Sequence, residues 1–224
     1  MRRFLAMILC MCFLVLPVRA AEEEKLVALT FDDGPSGRFT RRLLTGLAER
    51  DAKATFLLCG YRMEIYPDIT RQILAEGHEI GLHGYSHEPM EAMSQGQLLR
   101  ELEKTLALMP AGAQVRFLRA PGGSCEGKIC QTAAQMGFSV LLWSVDPRDW
   151  ATEDAHSIEA AVLDTARDGD VILLHDMSDS SVDAALAILD QLRSQGFRFV
   201  TVSELAQRRG IRTEPGKIYS RFPH

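Results

Sequence analysis

Seven short apolar runs alternate along this chain with segments of helical spacing, and that alternation restricts the fold more than any other feature. The runs lie at 26–30, 53–58, 78–82, 115–118, 138–145, 170–175 and 197–202. Each has the length and the apolar content of a buried strand. Between them, 38–50, 66–77, 94–109, 127–137, 153–169 and 180–196 repeat apolar residues at helical period. Ser94 with Gln97 is a capping-box signature, and Gly77, Gly137, Gly169 and Gly196 stand where helix C-caps belong. Near-continuous apolar strands joined by helices require a parallel sheet covered by helices, either doubly wound or closed into a barrel. Seven strands without a Gly-x-Gly-x-x-Gly or Walker loop favour the barrel. A parallel barrel presents its chemistry at the C-terminal ends of its strands, so the unusual polar residues belong there.

Composition matters at two points. A chain of 224 residues, 46% hydrophobic and 25% charged, has the make-up of one large α/β domain, here expected over 21–224. Residues 1–20 read differently: Arg2 and Arg3, an apolar stretch over 4–17, then Val18-Arg19-Ala20 form the three parts of a secretory signal peptide. An uncleaved anchor is the alternative, since Arg19 sits beside the cleavage point. Removing the segment takes three arginines from the 25 basic groups and nothing from the 30 acidic ones, leaving a net charge of −8. Such a chain has no electrostatic reason to bind nucleic acid. The cut also leaves Cys59, Cys125 and Cys130 in an oxidising compartment. Cys59 reads as a small buried hydrophobe, and Cys125 with Cys130 is close enough in sequence to form a disulfide.

The polar residues do collect after the strands. Asp32 and Asp33 follow the first, His83 and His87 the third, Arg119 the fourth, Asp146, Asp149 and Trp150 the fifth, and His175 ends the sixth. Asp-Gly-Pro at 33–35 is by itself ordinary turn chemistry. His83 and His87 have the spacing that brings two imidazoles to one side of a helical turn, which with one carboxylate suits a tetrahedral Zn²⁺ site holding one open position. Asp32-Asp33 can supply both that third ligand and a separate base, because adjacent residues of an extended segment point to opposite sides. His175 is either a core histidine or a general acid, with Asp149 one strand away to hold its ring. Arg119 is either a surface ion-pair residue or the partner of an aspartate. Trp150 reads from composition as a core aromatic, or in a sugar enzyme as one wall of a pocket. The glycines after Arg119 let a backbone N–H approach a reacting carbonyl oxygen.

In order, "TFDDGP", "HGYSH", "RAPGG", "DPRDW" and "ILLH" resemble the five motifs of the polysaccharide deacetylases with the NodB homology domain, carbohydrate esterase family four. The resemblance spans about 25–208. It implies a distorted seven-stranded parallel (β/α) barrel and a hydrolase that removes acetyl groups from glycans. By similarity, Asp32 would be the general base, steadied by Arg119. Asp33, His83 and His87 would bind one divalent ion, Zn²⁺ foremost, with Co²⁺, Mn²⁺ or Ni²⁺ as alternatives. His175 would be the general acid tuned by Asp149. Trp150 and Leu173 would shape the acetyl-methyl pocket, beside Pro121 and the oxyanion N–H of Gly122.

Three positions depart from the family pattern. Gly84 replaces the usual Ser or Thr after the first histidine, Gly122 replaces a frequent aromatic, and "SCEGKIC" is an unusual continuation of the third motif. None removes a ligand, an acid or a base, so substrate preference is affected more than catalysis. The expected protein is a secreted, wall-associated, monomeric N-deacetylase of N-acetylglucosamine residues in a β-linked glycan, peptidoglycan first and chitin-type oligomers next. The rivals are an O-acetyl esterase on acetylxylan and a catalytically dead glycan-binding protein.

Overall fold

A computed structural model of the chain describes residues 24–125 and 127–224; the candidate signal segment 1–20 lies outside them. The strands are β1 (Lys25–Asp32), β2 (Thr55–Leu58), β3 (Glu79–Leu82), β4 (Phe117–Leu118), β5 (Ser139–Leu141), β6 (Val171–His175), β7 (Phe197–Phe199) and β8 (Ile218–Tyr219). The helices are α1 (Gly37–Glu49), α2 (Gly60–Ile65), α3 (Pro67–Ala75), α4 (Gln95–Leu106), α5 (Gly127–Met136), α6 (Ala155–Thr165), α7 (Asp179–Ser194) and α8 (Val202–Arg208). The sheet runs β6-β1-β2-β3-β4-β5-β8, with β7 on β1, and every strand pair is parallel. It curls until Val145, just past β5, bridges Ile172 of β6. This is the distorted parallel barrel expected from the alternation. Among the described residues, no helix is long and apolar enough to cross a membrane.

Side-chain alternation decides what faces the inside. Register pairs Ala28 with Val171, Thr30 with Leu173 and Asp32 with His175, so one face of β1 and β6 climbs from apolar to polar over three levels two residues apart. At the floor, Leu26, Ala28, Leu57, Phe117, Leu141 and Val171 form a cluster stoppered by Val202 and Leu205 of α8 and by Phe222. The opposite faces of the strands pack on the helices. Phe31, Phe56, Ile172 and Leu174 meet α1, α3 and α7 through Leu44, Ile73 and Ile188, while Leu82, Leu118 and Val140 meet α4 and α5 through Leu102 and Ile129. Closing the floor leaves the upper rim as the open end of the barrel.

Several boundaries differ from the sequence reading. The run 197–202 is a strand only to Phe199, because the Thr201 hydroxyl accepts the Glu204 N–H and caps α8. The run 138–145 leaves the β5 ladder after Leu141, and Val145 goes instead to β6. Ser94 and Gln97 do form a capping box on α4. Gly77, Gly137 and Gly196 follow α3, α5 and α7 with φ of 79°, 86° and 86°. Gly169 is not a cap, since α6 stops at Thr165; it makes the turn into β6, where a Cβ would lie 2.3 Å from the Phe222 carbonyl oxygen.

The expected Cys125–Cys130 disulfide is not formed: both are free thiols, as is Cys59. Cys130, in the first turn of α5, aims its Sγ at the Cys125 carbonyl oxygen, 3.5 Å away, rather than at its sulfur. Cys59 is fully buried at the end of β2, as its apolar setting implied.

Candidate active site

The rim holds almost all of the residues singled out from the sequence. Asp32 ends β1 on the inner face, 3% exposed, and its Oδ1 accepts a 2.6 Å bond from Arg119. Arg119 is fully buried, as the partner of an aspartate and not as a surface ion-pair residue. Its guanidinium also donates to Thr30 Oγ1 at 2.9 Å and to the Leu141 and Leu142 carbonyls at 3.2 and 2.9 Å. Removing it would leave Asp32 as an unpaired buried anion, at a cost of about 3–5 kcal/mol.

Asp33 reaches the same rim by a different route from the one alternation suggests. In extended backbone it would point outward from Asp32, into the helix layer. Instead its φ is 71°, a left-handed conformation that swings the carboxylate back over the rim. There Asp33 Oδ1 lies 3.2 Å from His83 Nε2 and 2.9 Å from His87 Nε2. His83 and His87 do not lie on a helical turn. They flank an irregular loop with Gly84 at φ 81° and His87 at φ 64°, and their ring centroids are 5.2 Å apart.

Hydrogen bonding settles which histidine nitrogen is available. His83 Nδ1 is 2.7 Å from the Arg119 carbonyl oxygen, which can only accept, so Nδ1 carries the proton and Nε2 presents its lone pair to Asp33. An imidazole lone pair therefore faces a buried carboxylate oxygen that has no hydrogen-bond donor of its own. Two electron-rich atoms at that distance call for a cation between them. Ligand atoms of Asp33, His83 and His87 all lie within 4.8 Å of one another, and two nitrogens with one oxygen match a catalytic zinc-type donor set. Burial alone would raise the Asp33 carboxyl, but the two imidazoles beside it outweigh this and hold it far below the usual carboxylate range. The His87 imidazole is pushed up, chiefly by the Asp33 carboxylate beside it.

Across the rim, His175 ends β6 with Nδ1 2.7 Å from Asp149 Oδ1, while its backbone N–H donates to Asp149 Oδ2 at 2.8 Å. Asp149 opens a 3₁₀ turn, Asp149–Ala151, and is buried against this one residue. Burial opposes a charged ring at His175, but the Asp149 bond and then the negative charges of Asp149, Asp32 and Asp33 outweigh it and lift the pKa to about 9. With Nδ1 occupied, Nε2 is the nitrogen free to exchange a proton. A cavity of about 450 Å³ joins Asp33, Asp149, Trp150, His175 and Met177. Trp150 is 62% exposed on its wall, so it is not the core aromatic that composition favoured. Leu173 lies one inward step below His175, buried, and in none of the helix-packed clusters.

Pro121 and Gly122 sit in a 3₁₀ turn after β4, where Gly122 has φ 67° and no acceptor for its N–H among the described residues. Asp146 stands outside the cluster, exposed, and accepts the Arg148 N–H to turn the loop. A hollow of about 1270 Å³ beside α8 is lined by Arg116, Ser203 and Glu204, with no imidazole or paired carboxylates among its lining residues. The chemistry lies at the opposite end of the barrel.

Two contributors escaped the sequence reading. Thr30 donates to the Ile172 carbonyl and accepts from Arg119, coupling β1, β6 and the guanidinium. Asp176, next to His175, is fully buried beneath the Asp33–Gly34 turn, where it accepts the Thr40 hydroxyl. Burial, partly offset by that hydroxyl, pushes its pKa up to about 7. Any Cβ on Gly34 would sit 2.5 Å from Asp176 Oδ1, so the glycine is needed for close approach. The only signal was an acid directly following a strand-end histidine.

Residues 19–141 match the model of the polysaccharide deacetylase family. The chain is 40% identical over 188 residues to a peptidoglycan-N-acetylglucosamine deacetylase of Bacillus cereus, covering 81% of this chain and 88% of that protein. It is 36% identical over 186 residues to the peptidoglycan-N-acetylmuramic acid deacetylase PdaC of Bacillus subtilis, covering 82% of this chain and 39% of that longer protein. The solved family 4 acetyl xylan esterase from Clostridium thermocellum, in complex with a cobalt ion, aligns with a TM-score of 0.82 at 33% identity, covering 89% of this chain and 100% of that one. The chain belongs to the polysaccharide deacetylase family and is an enzyme of that family, with a candidate Asp-His-His metal site.

Proposed function

We propose that this enzyme removes N-acetyl groups from N-acetylglucosamine residues of peptidoglycan, with chitin-type oligomers as the next substrate, using one divalent cation, Zn²⁺ foremost. The observation that carries the reading is the pairing, across one rim, of the Asp33–His83–His87 donor set with an Arg119-bound aspartate and an Asp149-bound histidine. When bound, the cation supplies Lewis acidity toward the acetyl carbonyl. Asp32, fixed by Arg119, accepts the proton of the attacking water. The Gly122 N–H offers a donor to the carbonyl oxygen as negative charge develops on it. His175, kept protonated by Asp149, gives its Nε2 proton to the departing nitrogen as the amide C–N bond breaks. Acetate and a free amino sugar are the products. Trp150 lines the cavity beside His175, and on this reading Leu173, buried one step below His175, closes the space for the acetyl methyl group.

The apolar leader at 1–20 supports secretion and action at the wall, and the acidic mature chain supports a glycan rather than a nucleic-acid partner. The enzyme acts as a monomer on this reading, since every proposed acid, base and ligand comes from one chain. Likeness to an acetyl xylan esterase keeps ester cleavage as the second reading. A panel assay separates them: purified protein with Zn²⁺ is incubated with peptidoglycan, N-acetylglucosamine oligomers and acetylxylan, and released acetate is measured. Acetate and new amines from the first two support the proposal. Acetate from acetylxylan alone establishes the esterase, and none from any substrate supports a binding protein.

A further inference from the structure

The loop that carries both histidines has little to hold His87 through its own side chain. The His87 ring is exposed, and its polar and ring contacts among the described residues are with Asp33 and the His83 ring. Its position is therefore set by the backbone of residues 84–87, which adopts two left-handed conformations, at Gly84 and at His87 itself. A non-glycine residue holds such a conformation only where its surroundings over-determine it.

Those surroundings grip the loop from two sides. From α2, the N–H groups of Gly60 and Tyr61, the first donors of that helix, bond the carbonyls of Gly84 and Tyr85 at 2.9 and 3.0 Å. From α4, a single carboxylate oxygen, Glu101 Oε2, accepts the N–H of Tyr85 at 2.8 Å and the N–H of Ser86 at 2.9 Å. The Tyr85 side chain is held in turn by Glu64 at 2.8 Å and by Lys104 above its ring. Glu101 is the one side chain among the described residues that fixes the loop's N–H groups between the two histidines. Gly84 supplies the first of the two left-handed turns, at φ 81°, and a Cβ there would lie 2.8 Å from Met90 Cε.

We infer that Glu101 is a positioning residue for the metal site: by bonding two consecutive loop N–H groups it sets where His87 stands relative to His83 and Asp33, and so sets the affinity for a divalent cation. The inference rests on the Asp33–His83–His87 reading.

The test compares wild type with Glu101→Ala and Glu101→Gln in the full chain. Zn²⁺ affinity is read by chelator competition, and site geometry by the visible absorption of Co²⁺. Partners that orient metal ligands typically contribute ten- to a hundredfold in affinity, so Glu101→Ala should weaken Zn²⁺ by about that factor and change the Co²⁺ bands. Glu101→Gln keeps an acceptor oxygen and should stay within about threefold of wild type. At saturating Zn²⁺, Glu101→Ala should recover kcat to within about threefold with KM unchanged, which a general structural defect would not allow. Unchanged Zn²⁺ affinity in a folded Glu101→Ala protein overturns the inference. Should that variant fail to fold, Glu101→Asp, which withdraws the oxygen by one methylene, reads the same quantity, and unchanged affinity there overturns it equally. A wild type that binds no Zn²⁺ overturns the metal reading itself.

Discussion

Both ends of this barrel bury a histidine beside a carboxylate, and they treat the pair in opposite ways. At the floor, His78 Nδ1 accepts the Ala54 N–H at 3.2 Å, and burial, with Lys53 adding to it, lowers its pKa to about 4. Its neighbour Glu79 accepts the Thr55 hydroxyl at 2.9 Å and the Ser203 N–H at 3.1 Å, and burial raises its pKa. These groups bond outward, to backbone and hydroxyls of adjoining elements, and join the start of β2 to β3 and α8. At the rim the same residue types face one another. Asp149 lifts His175 to about 9, and Asp33 is held ionised between two imidazoles. Burial shifts an ionisable group toward its neutral form, and a close opposite charge shifts it back. The floor groups join elements, whereas the rim groups store charge around an open cavity.

That contrast predicts a separation of effects. The largest belongs to the metal cluster: His83→Ala or His87→Ala should abolish stoichiometric Zn²⁺ binding and lower kcat/KM by about a thousandfold or more, with the thermal transition still cooperative. Stoichiometric metal retained in the double variant, measured by elemental analysis, would remove the cluster from the mechanism. Next in size is the acid. His175→Ala should cost about 10²–10⁴ in kcat, the usual contribution of a general acid. Asp149→Asn should move the alkaline limb of the kcat/KM profile to lower pH. The acid works when protonated, that is below its pKa, and losing the anionic neighbour lowers that pKa. An alkaline limb that stays in place would separate His175 from the acid role or Asp149 from its tuning.

The floor should show the reverse. His78→Ala leaves the buried Ala54 N–H without its acceptor, so stability should fall by about 1–3 kcal/mol while kcat/KM at a temperature where the variant is folded stays within about twofold. A selective loss of activity there would break the division between the two ends. The smallest effect is expected at Cys125 and Cys130. As free thiols they constrain no loop, so the double change to serine should leave both Tm and kcat nearly unmoved, and alkylation of the unreduced protein should label both.

How much of this was readable beforehand follows the physics of each signal. Strands and long helices announce themselves by period, and the seven apolar runs all became strands. The two-residue β8, with Ile218 half-exposed, and the six-residue α2 are too short to carry a period. The strand-like run ending at 202 hid an N-cap, because Val and Thr suit a strand as well as they suit the residues around Thr201. In the site, the residue types were legible from motif and rim position. The Asp33 backbone was not, since alternation assigns it to the wrong face and only its φ of 71° corrects this. Glu101 and Asp176 were hidden because they act on backbone and hydroxyl groups distant in sequence, which no local spacing records.

If the Asp33–His83–His87 cluster drives deacetylation from the rim, activity must follow the metal it holds. The direct measurement is to chelate the protein, return Zn²⁺ in steps, and follow acetate release from an N-acetylated glycan alongside His83→Ala. Near-zero activity is expected after chelation, with recovery that saturates at about one equivalent per chain and no recovery in the variant. Full activity in the chelated protein, or recovery in His83→Ala equal to wild type, would contradict that dependence.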